Sequence, residues 1–151
     1  MSKKAGMEKW KMKVKLEDII EAMDFASMDT EYYYDTKNEQ ILMVFGGMVD
    51  GEENPELMEE IKEGFIEDYI PLPGQYDINE YRIMEEFISE IPTGKSQDIL
   101  RRAIQGRGAF RRFKDELYDL SLEQQWYSYK DSAYERIARQ WCEKHRIDVI
   151  D

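Results

Sequence analysis

Six basic residues, Arg101, Arg102, Arg107, Arg111, Arg112 and Lys114, fall within residues 96–114, where the one acid is Asp98. They stand in a chain of net charge −12. The centre of the block reads Gly106-Arg107-Gly108-Ala109-Phe110-Arg111-Arg112. A Gly-Arg-Gly turn entering a helix can present free backbone N–H groups to an anion, and the positive end of the helix dipole adds to them. Arginine offers planar, bidentate donors that match phosphate and carboxylate. Gly106, Arg107, Gly108, Arg111 and Arg112 are therefore the candidate ligand-binding residues. Arg107 and Arg111, spaced i, i+4, are expected to aim at one point beside the helix N-terminus. Arg101, Arg102 and Arg112 are expected to pair with the chain's own acids. The competing reading is plain: Gly106 ends one helix, Gly108 begins the next, and every arginine is counter-charge. No GxxxxGK[ST] or GxGxxG pattern accompanies the block, so a nucleotide is not specified.

Other chemistry-bearing types are sparse or unspecific. Cys142 and His145 lie three apart on one helix face, but each is the only residue of its type. A metal site needs three or four ligands at defined spacing, and a Cys–His nucleophile pair needs an orienting group beyond the imidazole. Cys142 is expected as a buried thiol and His145 as a surface histidine near a helix end. Asp50-Gly51-Glu52-Glu53 lacks the order of an EF-hand loop. Glu59, Glu60, Glu63, Glu67 and Asp68 are expected to form a solvated face. The rings of Tyr32-Tyr33-Tyr34 and Trp126-Tyr127-Ser128-Tyr129 are able to stack bases, yet packing in a core or sheet is the expectation in so acidic a chain. No catalytic residue and no metal or cofactor is implied.

The charge is unevenly spread. Residues 1–15 carry six Lys against one Glu; residues 16–99 carry 23 acids against four bases. Such a field disfavours non-specific nucleic-acid binding and favours basic partners. With 151 residues, 42% apolar and 13% aromatic, the chain has the composition of a globular domain able to bury a core. A single cysteine gives no intrachain disulfide. No stretch approaches a membrane span, and the basic start lacks the apolar run of a signal peptide, so the cytoplasm is the expected location.

Around these residues the elements read as follows. Residues 1–12 are expected to be a flexible extension, 13–147 a single domain and 148–151 a tail. Leu16, Ile19, Ile20 and Met23 mark an amphipathic helix. Tyr32–Tyr34 and Gln40–Phe45 flank polar turn residues and read as a β-hairpin, ended by Gly46-Gly47. An acidic loop follows, then a helix capped by Asn54 with Pro55 at its first position. Tyr69–Gly74, with two prolines, belongs to a sheet edge or a crossing segment. Asp77-Ile78-Asn79-Glu80 resembles a capping box, opening a helix whose inner face is Ile83, Met84, Phe87, Ile88 and Ile91. Ser96 is the expected cap of the next helix, which ends near Gly106. Phe110, Phe113, Leu117 and Leu120 form another stripe. Trp126, Ala133, Ile137 and Trp141 mark a last helix with a break near Tyr129. Phe110, Phe113, Leu117, Ile137 and Trp141 are expected to be buried. The fold class is α+β: a small antiparallel hairpin sheet packed against four to six helices, with a helix-rich C-terminal half. The strand–helix alternation of a Rossmann-type fold is missing.

The segment GRGAFRRFKDEL resembles the signature of an uncharacterised bacterial protein family, a UPF family of unknown function. KVKLEDIIEAMDF, IPLPGQYDINEYRIMEEFI and WYSYKDSAYERIARQWCE are similar to supporting segments of that family, and together the likeness spans about residues 13–147. The resemblance implies one domain of bacterial, cytoplasmic origin, and no catalytic residues.

The reading that results is a non-enzymatic binding or regulatory module. Its acidic face, residues 50–68 above all, suits a basic protein partner, and the GRGAFRR block suits a small anion. Two other classes stay open. One is an enzyme or sensor of a small anionic metabolite held by Arg107 and Arg111. The other is a nucleic-acid contact through residues 96–114, which the overall charge disfavours. A homo-oligomer stays open, since Tyr and Trp are enriched at the interfaces that some of these rings could close; a membrane partner is not indicated.

Overall fold

The computed structural model describes residues 10–26 and 29–151. The chain divides into two compact units: the residues up to Ile78 together with Tyr134–Asp151, and Asn79–Ala133.

The first unit is built on the tyrosine hairpin. Strands β2 (Thr30–Asp35) and β3 (Gln40–Phe45) pair antiparallel, with Tyr33 opposite Leu42 and Tyr34 opposite Ile41. Asp35 organises the turn between them. Its carboxylate accepts from the Lys37 and Asn38 amides at 3.0 and 3.3 Å and from the Asn38 side chain at 2.8 Å. Gly46-Gly47 ends the hairpin as expected, and the sheet continues beyond it. Both glycines have positive φ, 60° and 79°, the conformation of a tight two-residue hairpin turn. The chain therefore folds straight back into β4 (Met48–Val49). Asp50 and Gly51, again at positive φ, return it to β5 (Glu52–Glu53). The result is a five-stranded antiparallel sheet in the order β5-β4-β3-β2-β6, where β6 is Tyr69–Pro71. The proline-bearing strand lies at the edge, as its missing amide requires.

Alternation along the strands gives this sheet two buried faces. Tyr33, Leu42, Val49 and Tyr69 pack with Ile61 of α2 (Pro55–Glu63) on one. Asn54 caps α2 through the Leu57 amide at 3.1 Å, with Pro55 in its first turn. On the other face Tyr34, fully buried, meets Trp141 edge-on at 6.3 Å. The tyrosine hydroxyl donates to the Lys13 carbonyl at 2.7 Å. Lys13–Lys15 is β1, which leads into α1 (Leu16–Phe25). The residues expected as a tail, Asp148–Ile150, form β7 and pair in parallel with β1. Neither three-residue strand has a periodicity that a sequence could display; each exists because the other is there. Of the expected extension, residues 1–9 lie outside the described residues, while Trp10 and Met12 bond to Asp148.

The second unit is helical. It contains α4 (Glu80–Glu90), α5 (Lys95–Ala103), α6 (Ala109–Asp119) and the first half of α7 (Glu123–His145). A one-turn helix, α3 (Gln75–Ile78), precedes it in the first unit. The cap of α4 is Asn79, whose side chain accepts from the Arg82 amide at 3.2 Å; Asp77 turns instead to the Gly74 amide. The expected Ser96 cap is replaced as well. Gly94 stands at that position, and Gln97, buried, ties α5 to the end of α4 through the Ile88 and Ile91 carbonyls. Phe87, Phe113 and Trp126 form an edge-to-face cluster with centroids 4.9–6.3 Å apart. The helix α7 is continuous through Tyr129. Helical spacing then buries Tyr134, Ala138 and Trp141, and leaves Ile137 half-buried rather than buried. Among the described residues no helix is long and apolar enough to cross a membrane.

Candidate functional site

The corner between α5 and α6 carries the basic block. Gly106 and Gly108 both sit in the left-handed region, at φ 73° and 74°, so the chain reverses around Arg107 in a conformation that side chains resist. Gly108 is favoured for a second reason. A Cβ placed there would meet the Arg112 guanidinium at 3.1 Å.

Arg112 is the clamp of this turn. Its Nε donates to the Ala103 carbonyl at 3.0 Å, and its two terminal nitrogens donate to the Arg107 and Gln105 carbonyls. These are carbonyls that the end of α5 and the turn leave without helical partners, and a guanidinium fork satisfies them together. The expected pairing of Arg112 with acidic side chains is thus corrected: its partner is the main chain, because the turn delivers three carbonyls within reach of one residue at i+4 from Gly108.

The remaining bases behave differently. Arg101 and Arg102 close the last turn of α5, where positive charge favours the helix dipole. Among the described residues neither forms an ion pair with an acid, contrary to expectation, and the same holds for Arg107, Arg111 and Lys114. All five are exposed. The ion pairs of this unit form elsewhere, as Arg82–Glu86 and Lys130–Glu80. At the head of α6, Gly108 brings no capping side chain and the first turn contains no acid. Free amides and uncompensated cations therefore share one corner.

Phe110 completes it. The sequence pattern placed this ring in the core, but it is 46% exposed. The α6 face that packs inward is Ala109, Phe113 and Leu117. Phe110 lies one position round from that face, in a stripe with Arg107, Arg111, Lys114 and the exposed Tyr118. An i, i+3, i+4, i+7 count from Phe110 cannot tell which of two adjacent stripes is the inner one.

Cys142 is buried, and burial pushes its thiol up to about 12, which keeps it protonated and unreactive at neutral pH. His145 is not the free surface histidine expected. It is half-buried with its ring 5.2 Å from Trp141, and burial, helped by Lys144, lowers its pKa. Burying an imidazole penalises its charged form. The glutamates of α2 are exposed, as expected, with Glu60 accepting from the Tyr69 hydroxyl at 3.1 Å. No group of three or more metal-ligating side chains assembles among the described residues.

Sequence reasoning missed a cleft of about 300 Å³ in the first unit. It is formed where the chain leaves β6 and passes beside β2, with Tyr32, Phe65, Pro71 and Tyr76 in its walls. The one signal available was the run Tyr69-Ile70-Pro71-Leu72-Pro73-Gly74, whose prolines mark an extended segment. No curated protein and no solved structure matches the chain. The model of one family matches residues 10–151, nearly the whole length, and the chain accordingly belongs to the uncharacterised protein family UPF0158.

Proposed function

We propose that this protein is a non-enzymatic binding module whose α5–α6 corner receives an anionic partner. The observation that carries the reading is the state of five bases. Among the described residues, Arg101, Arg102, Arg107, Arg111 and Lys114 stand exposed and without acidic partners, in a chain that has 33 acids. Arg112 alone holds the turn, so the other cations are free for a ligand. The clefts in the two units are lined by other residues, and a site outside them suits docking better than enclosing a substrate. Inorganic polyphosphate, titrated by calorimetry, is expected to bind with an affinity that falls as salt rises. The pair of changes Arg107→Ala and Arg111→Ala should abolish that binding while thermal unfolding stays in place. Unaltered polyphosphate binding by that variant removes the corner from consideration.

A second reading, single-stranded nucleic acid, is favoured by one observation: the exposed Phe110 ring among the cations. Bases stack on such rings with about 1–3 kcal/mol each. Nucleic acid differs from polyphosphate in carrying bases, so stacking on Phe110 has to supply the affinity that separates the two ligands. Phe110→Ala should then weaken binding of a labelled oligonucleotide and leave polyphosphate binding unchanged. Equal effects on both ligands, or none on either, exclude the nucleic-acid reading.

A further inference from the structure

The cleft of the first unit has chemistry opposite to that of the basic corner. Large apolar side chains that ordinarily seek burial are left in water: Tyr76, 92% exposed, and Phe65, 49%, line it, and Ile66, 57%, lies beside Phe65. Their exposure is built in by the backbone. Ile66 occupies the left-handed region at φ 77°, a strained conformation for a β-branched residue. It is held there by its own amide, which donates to the Tyr69 carbonyl at 2.9 Å. Gly64 is packed so closely that a Cβ would meet Asp68 at 3.0 Å and Tyr69 at 3.2 Å. Phe65 is pinned edge-on against Tyr33 at 6.3 Å. The loop therefore presents Phe65 and Ile66 outward, and Tyr76 is exposed on α3.

Charge identifies what fits. Glu31 and Asp77 stand exposed in the cleft wall. The unit as a whole carries 23 acids against 12 bases, a net −11. An uncharged apolar segment would leave this field uncompensated, and a second copy of the chain would oppose it with the same sign. Main-chain pairing is also closed off. Along the outer side of β6 the Tyr69 amide donates to Gly64, the Tyr69 carbonyl accepts from Ile66, and the Pro71 carbonyl accepts from the Trp141 indole at 2.9 Å. A partner here cannot add a strand and must be read through its side chains.

We propose that this cleft docks a cationic segment of a partner protein, whose arginine or lysine stems lie along Tyr76, Phe65 and Pro71 while their charged heads reach Glu31 and Asp77. Long basic side chains combine an apolar stem with a cation, and exposed aromatic faces attract that cation. The site is independent of the basic corner and takes ligands of the opposite charge.

The test uses the full chain and a fluorescent peptide of alternating arginine and leucine, followed by anisotropy. Binding is expected to weaken as ionic strength rises. Tyr76→Ala should lower affinity about tenfold, the scale of one desolvated cation–π contact, with unchanged thermal unfolding because the ring is exposed. Glu31→Gln, which keeps an acceptor for the Tyr33 hydroxyl now bonded at 2.8 Å, should lower affinity and flatten the salt dependence. The proposal is overturned if a glutamate–leucine or glutamine–leucine peptide binds as well, or if Tyr76→Ala leaves arginine-peptide binding unchanged. It is overturned equally if sedimentation shows a dimer that Tyr76→Ala dissolves while the peptide fails to bind.

Discussion

The two units close their cores by opposite means. The helical unit is one continuous segment, Asn79–Ala133, whose rings come together from neighbouring helices joined by short turns. The sheet unit is assembled from both ends of the chain. Its β1–β7 pair joins Lys13–Lys15 to Asp148–Ile150, and its inner tyrosine, Tyr34, reaches both Lys13 and Trp141. Charge separates them too. The sheet unit carries net −11, whereas the helical unit, with ten acids and nine bases, is close to neutral. The overall −12 therefore misdescribes the surface around Arg107. A protein's net charge speaks for its long-range field, and a local site answers to the groups within about a Debye length, some 8 Å at physiological salt.

This contrast can be broken at its strongest point first. Phe113→Ala removes the ring in contact with both Phe87 and Trp126 and should cost about 3–5 kcal/mol in thermal or urea unfolding. An unaltered midpoint would remove the aromatic cluster as the anchor of the helical unit.

The matching change in the sheet unit is Asp35→Ala. Burial by itself would raise the pKa of this carboxyl, but hydrogen bonds from the Asn38 side chain and amide, the Lys37 amide and the Gln40 side chain outweigh burial and lower it from 3.8. Leaving those donors without an acceptor should cost about 1–3 kcal/mol at neutral pH. The sign of the pH dependence follows from the lowered pKa. The contribution is present in full above about the unfolded value of 3.8 and is lost as pH falls through the depressed folded value. The stability difference between parent and variant should thus hold steady near neutrality and shrink in acid. A gap that widens on acidification would contradict the assigned direction.

The smallest effect sharpens the comparison inside the basic block itself. Arg112→Ala frees three carbonyls of the α5–α6 turn and should cost about 1–2 kcal/mol, less than a buried clamp because solvent reaches the site. Arg111→Ala, one residue earlier and without an ion-pair partner among the described residues, should stay within about 0.5 kcal/mol. Equal losses for the two would erase the division between the arginine that builds the turn and those left for a ligand.

Several elements were legible because their cause is local. Asn54-Pro55 announces a helix start through a side chain and a ring that act within one turn. The tyrosine hairpin and its polar turn are legible for the same reason. So is α6 as a helix, since Phe113 and Leu117 recur at the helical period. The basic block was legible as a cluster, and its two glycines as a turn.

Other features came only from the tertiary structure. Whether Phe110 or its neighbour faces inward depends on how α6 is rotated against Phe87 and Trp126, which no stripe on α6 alone specifies. The target of Arg112 depends on three carbonyls brought within reach by a reversal of the chain. Strands β1 and β7 are too short to carry a pattern and lie at opposite ends of the sequence. The cleft at Tyr76 arises where separate segments pass one another. The sequence by itself determined the α+β composition, the Asn54 cap and the excess of acid, since each rests on the chemistry of adjacent residues. The tertiary structure alone decided which bases were left unpaired, because an ion pair requires two side chains to be brought together in space.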